Sequence, residues 1–342
     1  MTRRPEVLGE SKIPSEPKVL SEPKILSEPS AHRERTVRIA IVLAIVVIAI
    51  TAPLWSPIYY IQLLDMSLSL GLTAMSFILL AGYCGMISFA QMAFYAMAAY
   101  IIGIGTMDLG WPIWILLPLA VAAAGFLSAM FGAIAIRAKG VYFLMMTLAL
   151  SQLFYGVGLE WESVTHGWNG IAGITRPEIF GISLIRPIPR YYMALFVTTL
   201  CYFALRRIAR SPFGLALQGI RDNPTKMAAL GFNVHLYRLL AIIISGAFAG
   251  VGGILGVYST GVISPHTNDL SAIVQVVLAA LIGGVTQLEG GMVGAVVTVF
   301  LISFTSRYTS RYWMVVGAVF MLVMLFMPNG ILGITLRKRS SR

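Results

Sequence analysis

The sequence predicts an all-α protein that crosses a membrane about ten times, and three observations support this fold class. Of its 342 residues, 58% are hydrophobic and 11% are charged, whereas ordinary soluble domains carry about 25% charged residues. The apolar residues form long uncharged blocks, which is typical of membrane-spanning helices. They do not alternate with polar residues, so a membrane β-barrel is not expected. We therefore predict a polytopic helical bundle of eight to ten spans.

The first 36 residues have a different composition from the rest of the chain. Residues 15–20 and 21–26 read SEPKVL and SEPKIL, and SEPS follows at 27–30. Repeated Pro, Glu and Lys leave too little apolar surface for a core, so we predict that residues 1–36 are a disordered tail. This tail is too long and too polar to begin a cleaved secretory signal, and the first span is therefore expected to be retained.

Ten apolar segments follow the tail. A spanning helix needs roughly 20 apolar residues, within a range of about 17–25. Segments 191–205 and 291–306 are shorter than this, so they either extend into flanking residues or are broken or re-entrant. The ten segments are 38–55, 61–81, 87–106, 111–136, 141–158, 191–205, 239–258, 271–288, 291–306 and 312–327.

Two glycine-rich stretches are predicted to interrupt helices. They read GYCGMIS at 82–88 and GGVTQLEGGMVG at 283–294. Irregular backbone at membrane depth is tolerated only where protein or a water-filled cavity covers it. Because transporters form their binding sites at such interruptions, we expect both stretches to line a pathway.

The distribution of Lys and Arg predicts that both termini are cytosolic. With ten spans and an internal N-terminus, 20 of the 25 Lys and Arg residues lie on the inner side, and cytosolic loops carry such an excess. The predicted transmembrane domain covers residues 37–336, with an outer loop at 159–190 and a cytosolic loop at 206–238. A basic cytosolic C-terminus follows at 337–342.

The sequence shows no energy source and no reactive cluster of its own. The predicted span interiors contain no Lys, Arg or His, whereas ion-coupled carriers usually bury ionisable residues at mid-membrane. A phosphate-binding G-x-x-x-x-G-K-[ST] loop is also missing. Neither a nucleophile–base set nor metal-ligand spacing of histidines occurs, so we predict no catalytic residue, no metal site and no enzymatic activity. Such a transporter must take its energy from a partner.

The net charge of +11 does not predict a nucleic-acid partner, because the basic residues lie between apolar spans and form no single patch.

Uncharged polar residues within the spans are the candidates for a translocation path. Ser88, Gln91 and Tyr95 are spaced three and four residues apart, which places them on one face if the segment is a helix. Small residues among them let helices approach closely, so this face either lines a path or forms interhelical hydrogen bonds. The path candidates are Ser88, Gln91, Tyr95, Thr147, Gln152 and Gln275.

The cytosolic loop contains the signals of a short helix. Asp222 or Asn223 can cap its N-terminus, Pro224 suits its first turn, and Gly231 suits a left-handed residue after its end. Two turns are not stable alone in water, so we interpret this helix either as part of a plain surface loop or as a docking helix for a cytosolic ATPase. The docking candidates are Asp222, Asn223, Pro224, Thr225, Lys226, Met227, Ala228, Ala229, Leu230 and Gly231.

Five motifs in the same order resemble the permease subunit of branched-chain amino acid ABC importers, in particular the M-like subunit of the Liv type. The resemblance covers roughly residues 58–334. The motifs are GYCGMISFAQMAFYAMAAY at 82–100, RAKGVYFLMMTLAL at 137–150, THGWNGIAGI at 165–174, RSPFGLALQGIRDNPTKMAALGFNV at 210–234 and MPNGILG at 327–333.

The resemblance implies an assembly in a bacterial inner membrane. It implies cytosolic ATP-binding subunits, a homologous second permease and a periplasmic substrate-binding protein as partners, besides membrane lipid. The ATP is used by the partner subunit, and this chain binds no cofactor. Residues 225–231 match the family's ATPase-contacting loop, with Lys226 and Met227 where an acid and a small residue are common.

The outer loop is interpreted in two ways. Trp168, Asn169 and Arg176 either contact the substrate-binding protein or belong to a loop that only closes the outer mouth. The glycines at 167 and 170 predict a tight turn around Trp168.

The function predicted from these features is half of a translocation path for branched-chain or related amino acids. The resemblance implies an alternative in which the same architecture imports urea, amides or aromatic acids, because relatives carry these substrates. A passive channel or secondary carrier is the alternative of another class, and it would leave the 206–238 loop without a role. A membrane-embedded enzyme or scaffold is disfavoured, because the sequence has no reactive cluster.

Overall fold

The computed structural model describes most of the chain beyond the predicted first span. Of the predicted parts, the tail, most of segment 38–55 and the C-terminus at 337–342 lie outside the described residues. The described residues are 51, 53, 55, 57–176, 178–179, 182–309, 311–326 and 330–331.

Helices make up most of the described chain. The helices are α1 (Ile58–Ile78), α2 (Gln91–Met107), α3 (Ile113–Ala135), α4 (Val141–Glu160), α5 (Glu162–Thr165), α6 (Pro187–Arg210), α7 (Pro212–Asp222), α8 (Pro224–Ala229), α9 (Val234–Thr260), α10 (Leu270–Gly283), α11 (Leu288–Tyr308) and α12 (Tyr312–Phe326). A π-helical turn, Leu79–Cys84, extends α1, and short 3-10 turns occupy Gly167–Asn169 and Pro265–Asn268.

Four two-residue strands connect helices at one end of the bundle. Strand β1 (Ile171–Ala172) pairs antiparallel with β4 (Val262–Ile263), and β2 (Glu178–Ile179) pairs antiparallel with β3 (Ile182–Ser183). The strands are too short to form a layer, so the predicted all-α class holds for the described residues.

Six helices of the described chain are long and apolar enough to cross a membrane, and three apolar helices are shorter. The predicted short segments 191–205 and 291–306 extend into their flanks, because α6 has 24 residues and α11 has 21. An all-α membrane bundle is thereby confirmed. The count of eight to ten spans stays a prediction, since three helices are short and segment 38–55 is largely outside the described residues.

The membrane helices run alternately between two ends of the bundle. We call one the strand end, because β1 to β4 lie there. The other is the break end, where α7, α8 and the two helix interruptions described below meet. Contacts fix these ends: the strands join loops that follow α5 and α9, whereas Arg221 of α7 reaches the carbonyl of Gly82.

Two central helices, α1 and α9, organise the packing. Helix α9 packs on α2 and α3, whereas α1 packs on α10 and α11, and α1 and α9 contact each other. Helix α1 with α10 and α11 therefore packs as α9 does with α2 and α3. Because α1 and α9 run in opposite directions, the two sets have opposite orientations. Inverted-topology repeats produce this arrangement.

Close packing of α9 depends on small residues. A Cβ atom added at Gly253 would clash with the backbone carbonyl of Tyr95 on α2, and one added at Gly250 would lie 2.5 Å from Cβ of Ala124 on α3. Lipid tails are as apolar as Leu side chains, so membrane helices associate through such close van der Waals contact rather than through the hydrophobic effect.

Candidate functional site

Both predicted helix interruptions are present at the break end. Helix α1 ends in the π-helical turn, Gly85 adopts a left-handed φ of 72°, and the backbone stays irregular until α2 begins at Gln91. The second interruption occupies residues 284–287, between α10 and α11. A Cβ atom at Gly82 would clash with the carbonyl oxygen of Val285, so the two interruptions contact each other.

Two details of the sequence interpretation need correction here. Ser88 lies in the irregular segment and not on α2, so it does not share a helix face with Gln91 and Tyr95. The 3.6-residue period does not apply there, because the chain leaves the helix at Gly85. In the second stretch only residues 284–287 are irregular, and residues 288–294 already belong to α11.

A narrow cleft lies between α1, α2, α10 and the first interruption, and it has no room for a water molecule. Most of its lining is apolar, and two path candidates, Ser88 and Gln91, contribute the polar part. Ligand pockets usually measure about 300–1,000 Å³, so this cleft is not a ligand pocket within this chain alone. It is lined by Phe77, Ser88, Phe89, Gln91, Met92, Ile273, Val276 and Val277.

Gln91 forms a buried polar bridge between three helices. Its Nε2 donates to Oγ of Ser245 on α9 at 3.0 Å, and its Oε1 lies 3.1 Å from Oγ of Ser76 on α1. Ser245 Oγ in turn donates to the Ser76 carbonyl at 2.7 Å. Gln91 therefore holds α1, α2 and α9 together at the wall of the cleft.

Tyr95 serves helix packing and does not line the cleft. Its hydroxyl is 3.2 Å from Oγ of Ser69, which donates to the carbonyl of Gly252 at 2.8 Å. Interhelical hydrogen bonding, one of the two interpretations of this face, is therefore what the structure shows for Tyr95.

The remaining path candidates lie around the cleft in different roles. Thr147 Oγ1 accepts a 3.1 Å hydrogen bond from the backbone N–H of Phe89, which ties α4 to the first interruption. Gln275 is half-buried on α10, between the cleft residues Ile273 and Val276. Gln152 lies on α4, and its buried Nε2 has no hydrogen-bond partner within the part of the chain that the structure describes.

Helix α8 has the geometry that the sequence predicts for the docking segment. Asn223, and not Asp222, is its N-cap, since Oδ1 of Asn223 accepts from the N–H of Lys226 at 2.9 Å. Gly231 adopts a φ of 89°, which favours glycine. No residue of α8 is buried, and the Leu230 side chain that follows it is 72% exposed.

The docking segment is attached to the first interruption through α7. Arg221, near the end of α7, donates from Nη1 to the carbonyl of Gly82 at 2.6 Å. Leu217 of α7 is buried in one cluster with Leu80 and Cys84 of the π-helical turn. The sequence interpretation did not single out Arg221, because a lone Arg in a basic loop is indistinguishable from a surface charge.

A buried ion pair was also missed, and it corrects the placement of Arg190 in the outer loop. Arg190, predicted in the outer loop, lies in the first turn of α6 and is 3% exposed. Its Nε is 2.7 Å from Oδ2 of Asp65 on α1. A span predicted from hydropathy ends at the first charged residue. Here the opposite charge of Asp65 allows Arg190 to lie inside the bundle.

The outer-loop candidates are divided between surface and structure. Trp168 is 67% exposed, and its ring centroid is 5.0 Å from that of His266. Asn169 ends the 3-10 turn beside it, within the predicted tight turn.

Arg176 instead fastens the end of α9, donating to the carbonyls of Tyr258 at 2.9 Å and Ser259 at 3.3 Å. Burial and, to a lesser degree, the charge of Arg190 lower the pKa of Arg176.

Among the described residues, no group of three or more His, Cys, Asp or Glu side chains could hold a metal ion. Cys84 and Cys201 are both free thiols.

Comparison with known proteins identifies the family. A family model described as the permease component of a branched-chain amino acid transport system matches residues 59–328. The chain belongs to this family. No solved structure matches it.

Curated relatives agree with this assignment. The chain is 26% identical over 319 residues to the high-affinity branched-chain amino acid permease protein LivM of Salmonella typhimurium, a match that covers 86% of this chain and 74% of the relative. It is 27% identical over 304 residues to LivM of Escherichia coli, covering 81% and 68%. A 95-residue match at 30% identity links it to the guanosine ABC transporter permease protein NupQ of Bacillus subtilis, covering 28% and 29%.

Proposed function

We propose that this chain is the permease subunit of an ATP-driven importer and forms half of a path for branched-chain or related amino acids. The names of the LivM relatives support this substrate class. The cleft supports the half-path, because within this chain alone it is too narrow to hold a substrate. A second, homologous permease facing the cleft would complete it.

The observation that carries the proposal is helix α8. It is a folded, capped helix with no buried residue, and it is followed by an exposed apolar side chain, Leu230. A two-turn helix needs a packing partner to be stable. Within this chain, Met227 is the one residue of α8 whose side chain is partly buried. A cleft in a cytosolic ATP-binding subunit would cover the rest.

The break end is proposed to face the cytosol. It carries Arg137, Lys139 and the basic residues of the 206–238 segment, and positive charge favours the inner side. Both termini would then be cytosolic, in a bacterial inner membrane. The strand end would face the periplasm and present Trp168 and Asn169 to a substrate-binding protein. Arg176 is a weaker candidate contact, because backbone carbonyls already hold it.

ATP hydrolysis is assigned to the partner subunits, and this chain is proposed to be non-catalytic and to bind no cofactor. In this mechanism, closure of the ATP-binding subunits moves α8, and the bundle opens the path alternately to each side.

Co-purification tests the proposal. Tagged wild type is purified in detergent beside an Ala228→Glu, Leu230→Glu double variant and a Lys139→Glu control, which places a new acid on the exposed turn between α3 and α4. We expect an ATP-binding subunit to co-purify with wild type and control but not with the double variant, because the new carboxylates would be buried without partners at the interface.

Uptake by the same cells tests the substrate. ATP-dependent uptake of labelled Leu, Ile and Val is expected, with urea, phenylalanine and guanosine as competitors that separate the alternative substrates. If wild type purifies alone and carries solute into liposomes without ATP, the passive-carrier alternative replaces this proposal.

A further inference from the structure

The segment from α6 to α8 contacts the first helix interruption and the helix that directly follows the second. On the first, Arg221 donates to the carbonyl of Gly82 at 2.6 Å, and its Cγ would be 2.6 Å from a Cβ atom added at Gly85. The same guanidinium is 3.0 Å from Oδ1 of Asp222, which stands next to the N-cap of α8. One side chain therefore joins the start of α8 to the first interruption.

A second contact holds the start of α11, just after the other interruption, to the same segment. Tyr202 of α6 donates from its hydroxyl to Oε1 of Glu289 at 2.6 Å, and Arg206 Nη1 donates to that hydroxyl at 3.0 Å. Glu289 is in the first turn of α11, directly after residues 284–287. The first interruption and the first turn of α11 are thus both bonded to the chain segment that ends in α8.

Helices α7 and α8 are packed closely enough to move together. A Cβ atom at Gly219 of α7 would be 2.7 Å from Sδ of Met227 on α8, and Leu217 of α7 is fully buried against the π-helical turn. Packed interiors shift between discrete arrangements and do not deform continuously. A displacement of α8 therefore reaches the interruption through α7.

We propose that Arg221 is the positioning residue that transmits movement of α8 to the first interruption, and so to Ser88 at the cleft. This inference rests on the proposed function, because it takes α8 as the helix that the ATP-binding subunit moves. The bond to Gly82 is charge-assisted and thus roughly twice as strong as a neutral hydrogen bond. The acceptor carbonyl belongs to Gly82, at the edge of the irregular backbone. In this proposal, displacement of Gly82 shifts Ser88, which lies six residues further along the same segment.

Coupling between ATP hydrolysis and uptake tests this role in the intact complex. The variants are Arg221→Ala, Arg221→Lys and a control, Arg207→Ala, whose side chain is exposed on α6. We expect Arg221→Ala to keep the ATP-binding subunit and its hydrolysis rate while uptake per ATP falls by about fivefold or more, the lower range of coupling between distant sites. Arg221→Lys keeps a charged donor, so its uptake per ATP should lie between the values for Arg221→Ala and wild type. The Arg207→Ala control should match wild type.

Thiol labelling gives a second readout that a purely structural role would not produce. In a Cys84→Ala, Cys201→Ala background, a Ser88→Cys variant reports on the cleft. We expect ATP to increase its labelling rate, and we expect this increase to disappear when Arg221→Ala is added and to persist with Arg207→Ala.

Two outcomes would overturn the inference. Arg221→Ala could keep both the uptake per ATP and the ATP-dependent labelling of wild type, which would remove the transmitting role. It could instead lose the ATP-binding subunit, which would make Arg221 a docking or folding residue. Failure of the proposed function looks different, because wild type itself would then purify without an ATP-binding subunit.

Discussion

Asp65 and Arg190 form an ion pair within the helical bundle. Both residues are nearly inaccessible, at 1% and 3% exposure, and the pair joins α1 to the first turn of α6. Asp65 Oδ1 and Arg190 Nη2 have no hydrogen-bond partner within the described part of the chain. Taking two charges out of water is costly, so an incompletely bonded pair contributes little net stability, although losing one partner is severe.

Removing one charge of the pair should therefore cost more stability than removing both. Arg190→Gln leaves Asp65 as an uncompensated buried charge and is expected to cost about 3–5 kcal/mol of stability. The double variant Asp65→Asn, Arg190→Gln removes both charges and should recover a large part of that loss. Thermal unfolding of the detergent-solubilised protein measures both, and equal losses in the single and double variants would contradict the ion-pair account.

At the scale of elements, the glycines of α9 allow it to pack closely against α2 and α3. Its Gly250 and Gly253 face α3 and α2, where an added Cβ atom would meet Cβ of Ala124 or the backbone of Tyr95. Backbone atoms cannot move aside as a flexible side chain can. The separation of α9 from its neighbours therefore depends on the absence of side chains at these positions.

Gly253→Ala is expected to destabilise the bundle by about 1–3 kcal/mol, the usual cost of overpacking. Gly125→Ala on α3 is the matched control, because nothing lies within 4 Å of a Cβ atom there. That control should be neutral or slightly stabilising, since Ala favours helix over Gly. The comparison is made by thermal unfolding, and a Gly253→Ala variant as stable as the control would show that α2 and α9 can separate without loss.

At the scale of the whole molecule, the proposed orientation predicts which residues are reached from each side of the membrane. The break end carries Leu230 and the strand end carries Trp168, and both side chains are exposed. Positive charge at the break end favours the cytosol.

Accessibility to an impermeant maleimide checks this orientation. In the Cys84→Ala, Cys201→Ala background, Trp168→Cys should be labelled in intact spheroplasts, and Leu230→Cys only in inside-out vesicles. The reverse pattern would place the break end outside and would exclude a cytosolic ATP-binding subunit on α8.

Much of the fold and part of the site could be predicted from local features of the sequence. The stretches 82–88 and 283–294, which contain the two interruptions, were marked by glycine, and α8 was marked by its cap, Pro224 and Gly231. Ser88 and Gln91 were named as path candidates and meet at the cleft. Arg221 and Arg190 were not recognised as structural residues, because their partners are not near them in sequence.

The sequence by itself determined which apolar segments are helical and, to within a few residues, where most of them stop. In lipid each segment must satisfy its own backbone hydrogen bonds, and caps and glycine turns act over a few residues, so these features are local. Only the tertiary structure decided which distant groups meet, such as Asp65 with Arg190, 125 positions apart, and Gly82 with Arg221, 139 positions apart. Such pairings depend on the fit of small residues between helices, and that fit has no periodic signal in the chain.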